Sequence, residues 1–375
     1  MTLNPEARDD QASLILQEAR WRAAVRRQLL AWFARDARDL PWRRDPTAYH
    51  VWVSEVMLQQ TQVATVLDYY DRFLVSFPDV RSLADADEDS LMRLWEGLGY
   101  YRRARLMHRA AKQIVEKHGG TFPTDYSSVV ALPGIGPYTA GAILSISSDA
   151  RLPILEGNTI RVFSRWVALR SDVKSKLGNE QLWEIAQLML PRKEAGQFNQ
   201  AAMELGALIC KPAEPRCTLC PISKQCQANR LGLQESIPGK VTKIQYESRK
   251  EFAFVIPAID RPGWLVHRVA EGQRWAGLWD FPRVHDGIAK TPATAAQTVS
   301  RRIGTNLLPF RVVKRIKHAV TRFRITLEVC ETQPIDSAGL CATTGEYRFV
   351  THQELAKLPL SVSGRRIVSH LLRSE

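Results

Sequence analysis

Residues 132–158 read LPGIGPYTAGAILSISSDARLPILEGN, a Gly-Pro turn followed by a single carboxylate at Glu156. No charged side chain occurs from 126 to 148, a length that hydropathy alone would offer as a membrane span. Pro133, Gly134, Gly136 and Pro137 defeat that reading, because no helix runs through such a cluster without losing backbone bonds. The pattern instead predicts two helices around a tight hairpin: one ending near Ala131, a turn from Pro133 to Pro137, and a second from Tyr138 to about Ser147. Glycine permits positive φ in such a turn, and backbone N–H groups beside the positive N-terminus of the second helix form a seat for phosphate. A plain helix connector has the same local signature.

The chain of 375 residues is long enough for two or three domains, each with its own core. Its formal charge of +13 favours a polyanionic partner. Residues 243–375 hold 21 Lys/Arg against 12 Asp/Glu, net +9, and residues 1–242 hold 31 against 27, net +4. The C-terminal third is thus the more basic part. Glu6, Asp9, Asp10 and Glu18 make the N-terminus acidic, with no apolar run of signal-peptide length, so the expected location is the cytoplasm, associated with the nucleoid, and not a membrane.

Leu16, Trp21, Val25, Leu29, Trp32 and Phe33 recur at helical spacing between Ala12 and Ala34. After a proline-bounded loop carrying Trp42 and Arg43, helical spacing resumes over Tyr49–Leu74, interrupted by the polar run Gln59-Gln60-Thr61-Gln62. Glu55 falls beside Trp52, Val56 and Gln59 on a mostly apolar face, where desolvation raises a carboxyl pKa toward that of a proton donor. The plainer alternative has Glu55 facing water or paired with Arg43. Leu83–Leu98 reads as a further helix closed by Gly97 and Gly99. Tyr100-Tyr101-Arg102-Arg103-Ala104-Arg105 then suits a nucleic-acid wedge and phosphate clamp, or buried tyrosines beside a solvated basic helix. Helices are predicted over Thr159–Leu169, Gln181–Leu190 and Asn199–Ile209, and no strand pattern precedes Lys240. The first 226 residues therefore read as all-α.

Cys210, Cys217, Cys220 and Cys226 are spaced C-x6-C-x2-C-x5-C directly after a helix. Four thiolates this close in sequence suit one metal centre, zinc or iron-sulfur, better than a disulfide framework. Their spacing resembles the cluster loop of endonuclease III and MutY-type DNA glycosylases, and this resemblance implies a 4Fe-4S cluster. Leu132–Gly136 resembles the helix-hairpin-helix motif of the same superfamily, which implies phosphate contact at Gly134 and Gly136. Lyases of that superfamily carry a Schiff-base lysine two residues after the motif's last glycine. Tyr138 stands there in this chain, which implies a monofunctional glycosylase.

Trp52–Val63 and Gly97–Tyr101 resemble MutY-type adenine DNA glycosylases nearly residue for residue, within a similarity that runs over roughly residues 20–230. The resemblance implies that Glu55 is the general acid that protonates the departing adenine, that Gln60 and Tyr100 intrude into the base stack with Thr61 also binding DNA, that Trp42 and Arg43 line the base pocket, and that Asn158 supports the catalytic carboxylate Glu156. Breaking an N-glycosidic bond builds negative charge on the base and positive charge on the sugar, so one acid and one anion are needed. Glu156, just before a helix starting near Thr159, is expected to stay ionised in the field of that helix. The implied substrate is double-stranded DNA containing adenine mispaired with 8-oxoguanine or guanine, bound by a monomer.

The predicted organisation is a helix-hairpin-helix glycosylase domain at 12–226, including the iron-sulfur loop 210–226, a linker at 227–243, and an α+β domain at 244–375. Strand-like alternation over Phe252–Ile259, Trp264–Val269, Arg311–Arg315 and Phe323–Cys330, with Gly277–Pro282, resembles the Nudix-like domain of MutY enzymes. Residues 287–310 contain no Glu, so the Nudix hydrolase box is missing. Two positions depart from the family pattern: Glu156 replaces an aspartate, and Val320-Thr321-Arg322 replaces a Phe-Ser-His loop that reads 8-oxoguanine. These departures leave two alternatives, an altered lesion specificity and a weakly catalytic DNA-binding iron-sulfur protein. Cys330 and Cys341 are expected to be packing residues.

Overall fold

The computed structural model describes residues 15–239, 245–337 and 346–373. The chain forms two compact units, one made of Met1–Ala84 with Arg109–Thr242, the other of Asp85–His108 with Lys243–Glu375. Among the described residues no helix is long and apolar enough to cross a membrane. Cys341, residues 240–243 of the expected linker and the start of the expected helix at Ala12 lie outside the described residues.

The helical elements in chain order are α1 (Ala19–Asp36), α2 (Pro41–Arg44), α3 (Ala48–Leu58), α4 (Val63–Ser76), α5 (Val80–Asp85), α6 (Glu88–Leu94), α7 (Arg102–His118), α8 (Tyr126–Val130), α9 (Pro137–Ser148), α10 (Gly157–Val167), α11 (Lys176–Met189), α12 (Ala195–Leu208) and α13 (Gln227–Arg230). Helix α1 buries Trp21, Val25, Leu29 and Trp32 on one face, as their spacing of three and four requires. These side chains meet Val162, Phe163 and Trp166 of α10, Leu182 and Ile185 of α11, Phe198 and Leu205 of α12, and Ile222 and Cys226 of the cysteine loop in one core. The cysteine loop is therefore built onto the core.

Two predicted helices are divided. The polar run after Glu55 is a true helix break: α3 ends at Leu58, Gln60 adopts φ +57°, and α4 starts at Val63. Leu83–Leu98 is interrupted at Asp87, whose carboxylate accepts from the Asp89 and Ser90 N–H groups at 2.9 and 3.1 Å and caps α6. Apolar residues are buried on both sides of each break, Val56 and Val66 around the first and Leu83 and Leu91 around the second, so apolar spacing alone does not mark either one.

The second unit contains β1 (Glu247–Val255), β2 (Trp264–Arg268), β3 (Trp279–Asp280), β4 (Arg283–His285), α14 (Pro292–Ile303), β5 (Phe310–Val320), β6 (Phe323–Thr332), β7 (Tyr347–Val350), α15 (His352–Lys357) and α16 (Val362–Leu371). One sheet has the order β4-β1-β6-β5 and the other β3-β2-β7. Strands β1 and β6 are parallel, and the other pairs antiparallel. Strand β5 runs five residues past the predicted Arg315. Among the described residues it is an edge strand paired with β6 alone, and charge is placed on such edges, so its hydrophobic alternation fades before its backbone pairing does. Cys330 is fully buried in the core, and α14 carries no carboxylate.

Candidate active site

A cavity of about 500 Å³ opens in the helical unit and brings together Trp42, Arg43, Glu55, Gln60, Thr61, Tyr138, Glu156 and Asn158. Four separate elements supply these side chains: α2, the end of α3 with its following turn, the start of α9, and the start of α10.

Glu55 is only 6% exposed and accepts a hydrogen bond from the Tyr138 hydroxyl. Burial pushes its carboxyl up to about 7; the Tyr138 bond and the Arg43 charge pull the other way, and Glu156 adds to the rise. Tyr138, whose hydroxyl also lies 3.5 Å from Met203 Sδ, is held well above its ordinary value, first by burial and then by the two glutamates. The pairing of Glu55 with Arg43 considered from the sequence does not occur. Arg43 instead donates to Glu204 at 2.9 Å, and Arg38 makes a fork to the same carboxylate through Nε and Nη2, each at 2.7 Å.

Glu204 is the residue that sequence reasoning missed. Its carboxyl is 1% exposed, it lines the cavity, and its two arginines hold it down to about 2 against the opposing effect of burial. The only trace in the sequence is an acidic residue among the apolar positions of α12. Its partners lie 161 and 166 residues away.

Glu156 is the N-cap of α10. Its Oε2 accepts from Asn158 N at 2.8 Å and from Asn158 Nδ2 at 3.3 Å, its Oε1 accepts from Thr159 N at 2.9 Å, and Thr159 Oγ1 accepts from Glu156 N at 2.8 Å. This is a reciprocal capping box. The Glu156 pKa is raised from its ordinary value, because burial outweighs the hydrogen bonds from Asn158 and Thr159 and the Arg161 charge, so the start of α10 is not the largest influence on this carboxyl. Asn158 is itself fixed by Arg161, whose guanidinium donates to Asn158 Oδ1 at 2.8 Å, Gly206 O at 2.7 Å and Cys210 O at 2.6 Å. A Cβ at Gly206 would sit 2.5 Å from the Asn158 Cβ, so only glycine lets α12 pass this close to the cap.

The other predicted residues lie elsewhere. Gly134 (φ +79°) and Gly136 (φ −101°) form the turn that leads into α9. They do not line the cavity, but the turn they build sets Tyr138 on the first turn of the helix. Tyr100 (φ +48°, 46% exposed) belongs to the second unit. Its neighbour Tyr101 is buried, so the two tyrosines divide between the two readings of that motif. Thr321 (φ +51°) and Arg322 turn the β5–β6 hairpin, with Arg322 Nε 3.2 Å from Glu247.

Cys210, Cys217, Cys220 and Cys226 line a second, smaller cavity. Arg165 spans this loop, donating to the Cys210 sulfur at 3.3 Å, Lys211 O at 2.7 Å and Ile237 O at 2.7 Å. Among the described residues no three His, Cys, Asp or Glu side chains form a group that would hold a single metal ion.

The HhH-GPD superfamily of base excision DNA repair proteins matches residues 53–187, and the NUDIX domain family matches residues 253–370. The chain is 39% identical over 256 residues to an adenine DNA glycosylase of Buchnera aphidicola, covering 68% of this chain and 73% of that protein. The chain belongs to the adenine DNA glycosylase family. A rat member is 45% identical over 228 residues, covering 58% of this chain and 44% of that longer protein. A thermostable thymine-DNA glycosylase shares the helical fold, with 25% identity, a TM-score of 0.51 and coverage of 56% of this chain and 98% of that one. In this family member a helical part matching the HhH-GPD superfamily is followed by a part matching the NUDIX domain family and containing two sheets. The matched segment 53–187 also contains Asp85–His108, which packs within the second unit.

Proposed function

We propose that this chain is a monofunctional DNA glycosylase that acts as a monomer in the cytoplasm, excising adenine mispaired with 8-oxoguanine or guanine from double-stranded DNA. The observation that carries this reading is a pair of buried glutamates on one cavity that differ in their hydrogen-bond donors, one phenol at Glu55 and three N–H groups at Glu156. Glu55, buried and raised to about 7, is poised to carry a proton for the base near neutral pH. Glu156, gripped by three N–H donors from Asn158 and Thr159, presents negative charge toward the sugar. Tyr138 bonds Glu55 and carries no amine, so no Schiff base forms at this position. Trp42 offers an aromatic wall, and the Arg43–Glu204 pair offers a donor beside an acceptor, the pattern that an adenine edge with its amine and ring nitrogen requires.

The base must leave the duplex to reach the cavity, at a cost of about a few kcal/mol. In this reading Gln60 and Thr61 at the cavity mouth and the exposed Tyr100 offset that cost by wedging. The turn at Gly134 and Gly136 holds phosphate through its backbone N–H groups. Thr321 and Arg322, in a hairpin with Arg311, Lys314, Arg315 and Lys317, add phosphate contacts. Loss of the Phe-Ser-His loop weakens discrimination of 8-oxoguanine from guanine.

The cysteine loop fits a 4Fe-4S cluster: four thiols line one cavity, and the Arg165 guanidinium beside Cys210 offsets the charge of a thiolate set. When bound, the cluster would order this loop. Arg161 and Arg165 tie the loop to α10, at whose start Glu156 and Asn158 stand.

A second reading, altered lesion choice or weak catalysis, is favoured by the extra methylene of Glu156, since a displacement of about 1 Å can cost about a hundredfold in rate. Single-turnover assays on A:8-oxoG, A:G, T:G and A:T duplexes, run with Glu55→Gln and Glu156→Asp, separate these readings. We expect excision from A:8-oxoG and A:G only, and a loss of about 10²–10⁴-fold in Glu55→Gln. Excision from T:G would favour altered lesion choice. No alkali-labile product from any duplex would favour a binding protein, and faster excision by Glu156→Asp would mark Glu156 as a weakened site.

A further inference from the structure

Helix α6 and the turn after it are fastened at three points to the C-terminal elements of their own unit. Asp89 accepts from Arg268 Nη2 at 3.1 Å and from Trp279 Nε1 at 3.3 Å. The Arg93 guanidinium donates to the Ala356 carbonyl. Glu96 receives a fork from Arg365, Nε to Oε1 and Nη2 to Oε2, each at 2.7 Å, and a longer bond of 3.4 Å from Leu360 N. Arg365 is held in turn by the Leu355 and Leu358 carbonyls at 2.9 and 2.7 Å, so the fork meets Glu96 from a fixed base. Bidentate pairing of this kind fixes orientation as well as distance.

Gly97 to Tyr100 follows Glu96 directly, with Gly97 at φ +105°, Gly99 at φ +70° and Tyr100 at φ +48°. A non-glycine residue at positive φ persists only where its surroundings over-determine it. Those surroundings are local on one side: Trp95 Nε1 donates to Gly99 O at 3.1 Å, and Arg103 Nη2 donates to Leu98 O and Gly99 O, each at 3.1 Å. The Arg103 guanidinium also lies 5.3 Å from the Trp95 ring and 5.6 Å from the Tyr100 ring. On the other side the turn follows directly on Glu96 and α6, so the Arg365 fork links the C-terminal elements to the segment that carries the exposed tyrosine.

We propose that Glu96 and Arg365, with Asp89 on Arg268 and Trp279, are positioning residues through which the Nudix-like part of the chain sets the angle at which Tyr100 enters DNA. The proposal rests on the reading of Tyr100 as a wedge. It gives the C-terminal part a task in base extrusion that is separate from reading the opposite base. Glu96 and Arg365 touch no substrate in this scheme and act only through the turn.

The test uses the full chain and a duplex carrying 2-aminopurine beside an uncleavable 2′-fluoro-adenosine opposite 8-oxoguanine, so that unstacking is read as a rise in fluorescence. Tyr100→Ala, Glu96→Ala, Glu96→Gln and Arg365→Met are compared with the parent at saturating protein, and thermal unfolding is followed alongside. We expect the rise to shrink at least threefold in Tyr100→Ala, Glu96→Ala and Arg365→Met and less in Glu96→Gln, which keeps the side chain's shape. Glu96→Ala should also slow single-turnover excision of adenine while its unfolding midpoint stays near the parent's. A full rise in Glu96→Ala and Arg365→Met, with Tyr100→Ala impaired, overturns the positioning role alone. A full rise in Tyr100→Ala overturns the wedge reading and the proposal with it.

Discussion

Glu55 and Glu156 are the same amino acid on one cavity, and both carboxyl groups are raised by burial. They differ in what reaches their oxygens: one phenol at Glu55, three N–H groups at Glu156. In the proposed reaction that contrast gives them different chemical work, and the raised Glu55 carboxyl has a consequence for stability. A carboxyl whose folded pKa lies above its unfolded one is no burden while both states are protonated, and the fold loses stability as pH rises through the folded value. For Glu55 that value is about 7, so the loss begins as the unfolded carboxyl ionises in the ordinary carboxylate range and is complete a little above neutrality. Glu55→Gln removes the titration. The unfolding midpoint of Glu55→Gln relative to the parent should therefore be higher at pH 8.5 than at pH 5.5, and a difference independent of pH would mean that Glu55 is not buried as a neutral acid. The sequence shows the apolar company of Glu55, because Trp52 and Val56 are its helical neighbours. It does not show Glu204, whose meaning lies entirely in Arg38 and Arg43, brought up from the far end of the helical unit.

At the scale of elements, α10 is the part to which most of the helical unit reports. Its first turn holds Glu156 and Asn158, its middle carries Arg161 and Arg165 to the cysteine loop, and its apolar face enters the core through Val162, Phe163 and Trp166. Helix α12 packs so closely against the cap that Gly206 lies where a Cβ would strike Asn158. Gly206→Ala must displace either α12 or the cap. We expect a fall of roughly tenfold to a hundredfold in single-turnover rate, from misplacement of about 1 Å at Glu156, with DNA affinity changed much less, since the turn at Gly134 proposed to hold phosphate is untouched. An equal loss in rate and affinity would show that the substitution unfolds the region rather than moving the carboxylate. The hairpin around Pro133–Pro137 was legible because glycine and proline punctuate structure locally. The close approach of Gly206 was not, because nothing near it in sequence signals the neighbour it must clear.

For the whole molecule, the uneven charge predicts how binding responds to salt. The C-terminal part carries net +9 over residues 243–375, and its β5–β6 hairpin sets Arg311, Arg315 and Arg322 on the surface. If about five phosphates are neutralised, log Kd should rise with log salt with a slope near 4.5. Removing the charges of Lys314, Lys317 and Arg322 together should lower that slope by about 2 to 3 with little change in the choice among mispairs. A slope unchanged by the triple substitution would place the DNA elsewhere. By itself the sequence determined the helical class of the first part, the hairpin, the four-cysteine loop, the longer strands of the second part and the two glutamates, all of which depend on periodicity, turn chemistry or spacing within a few residues. Only the tertiary structure decided that Arg43 serves Glu204 rather than Glu55, that burial outweighs the helix field at Glu156, and that residues 85–108 fold with the C-terminal unit through Asp89, Arg93 and Glu96. Each of those outcomes turns on desolvation or on partners more than a hundred residues away in the chain, and neither is written into local sequence.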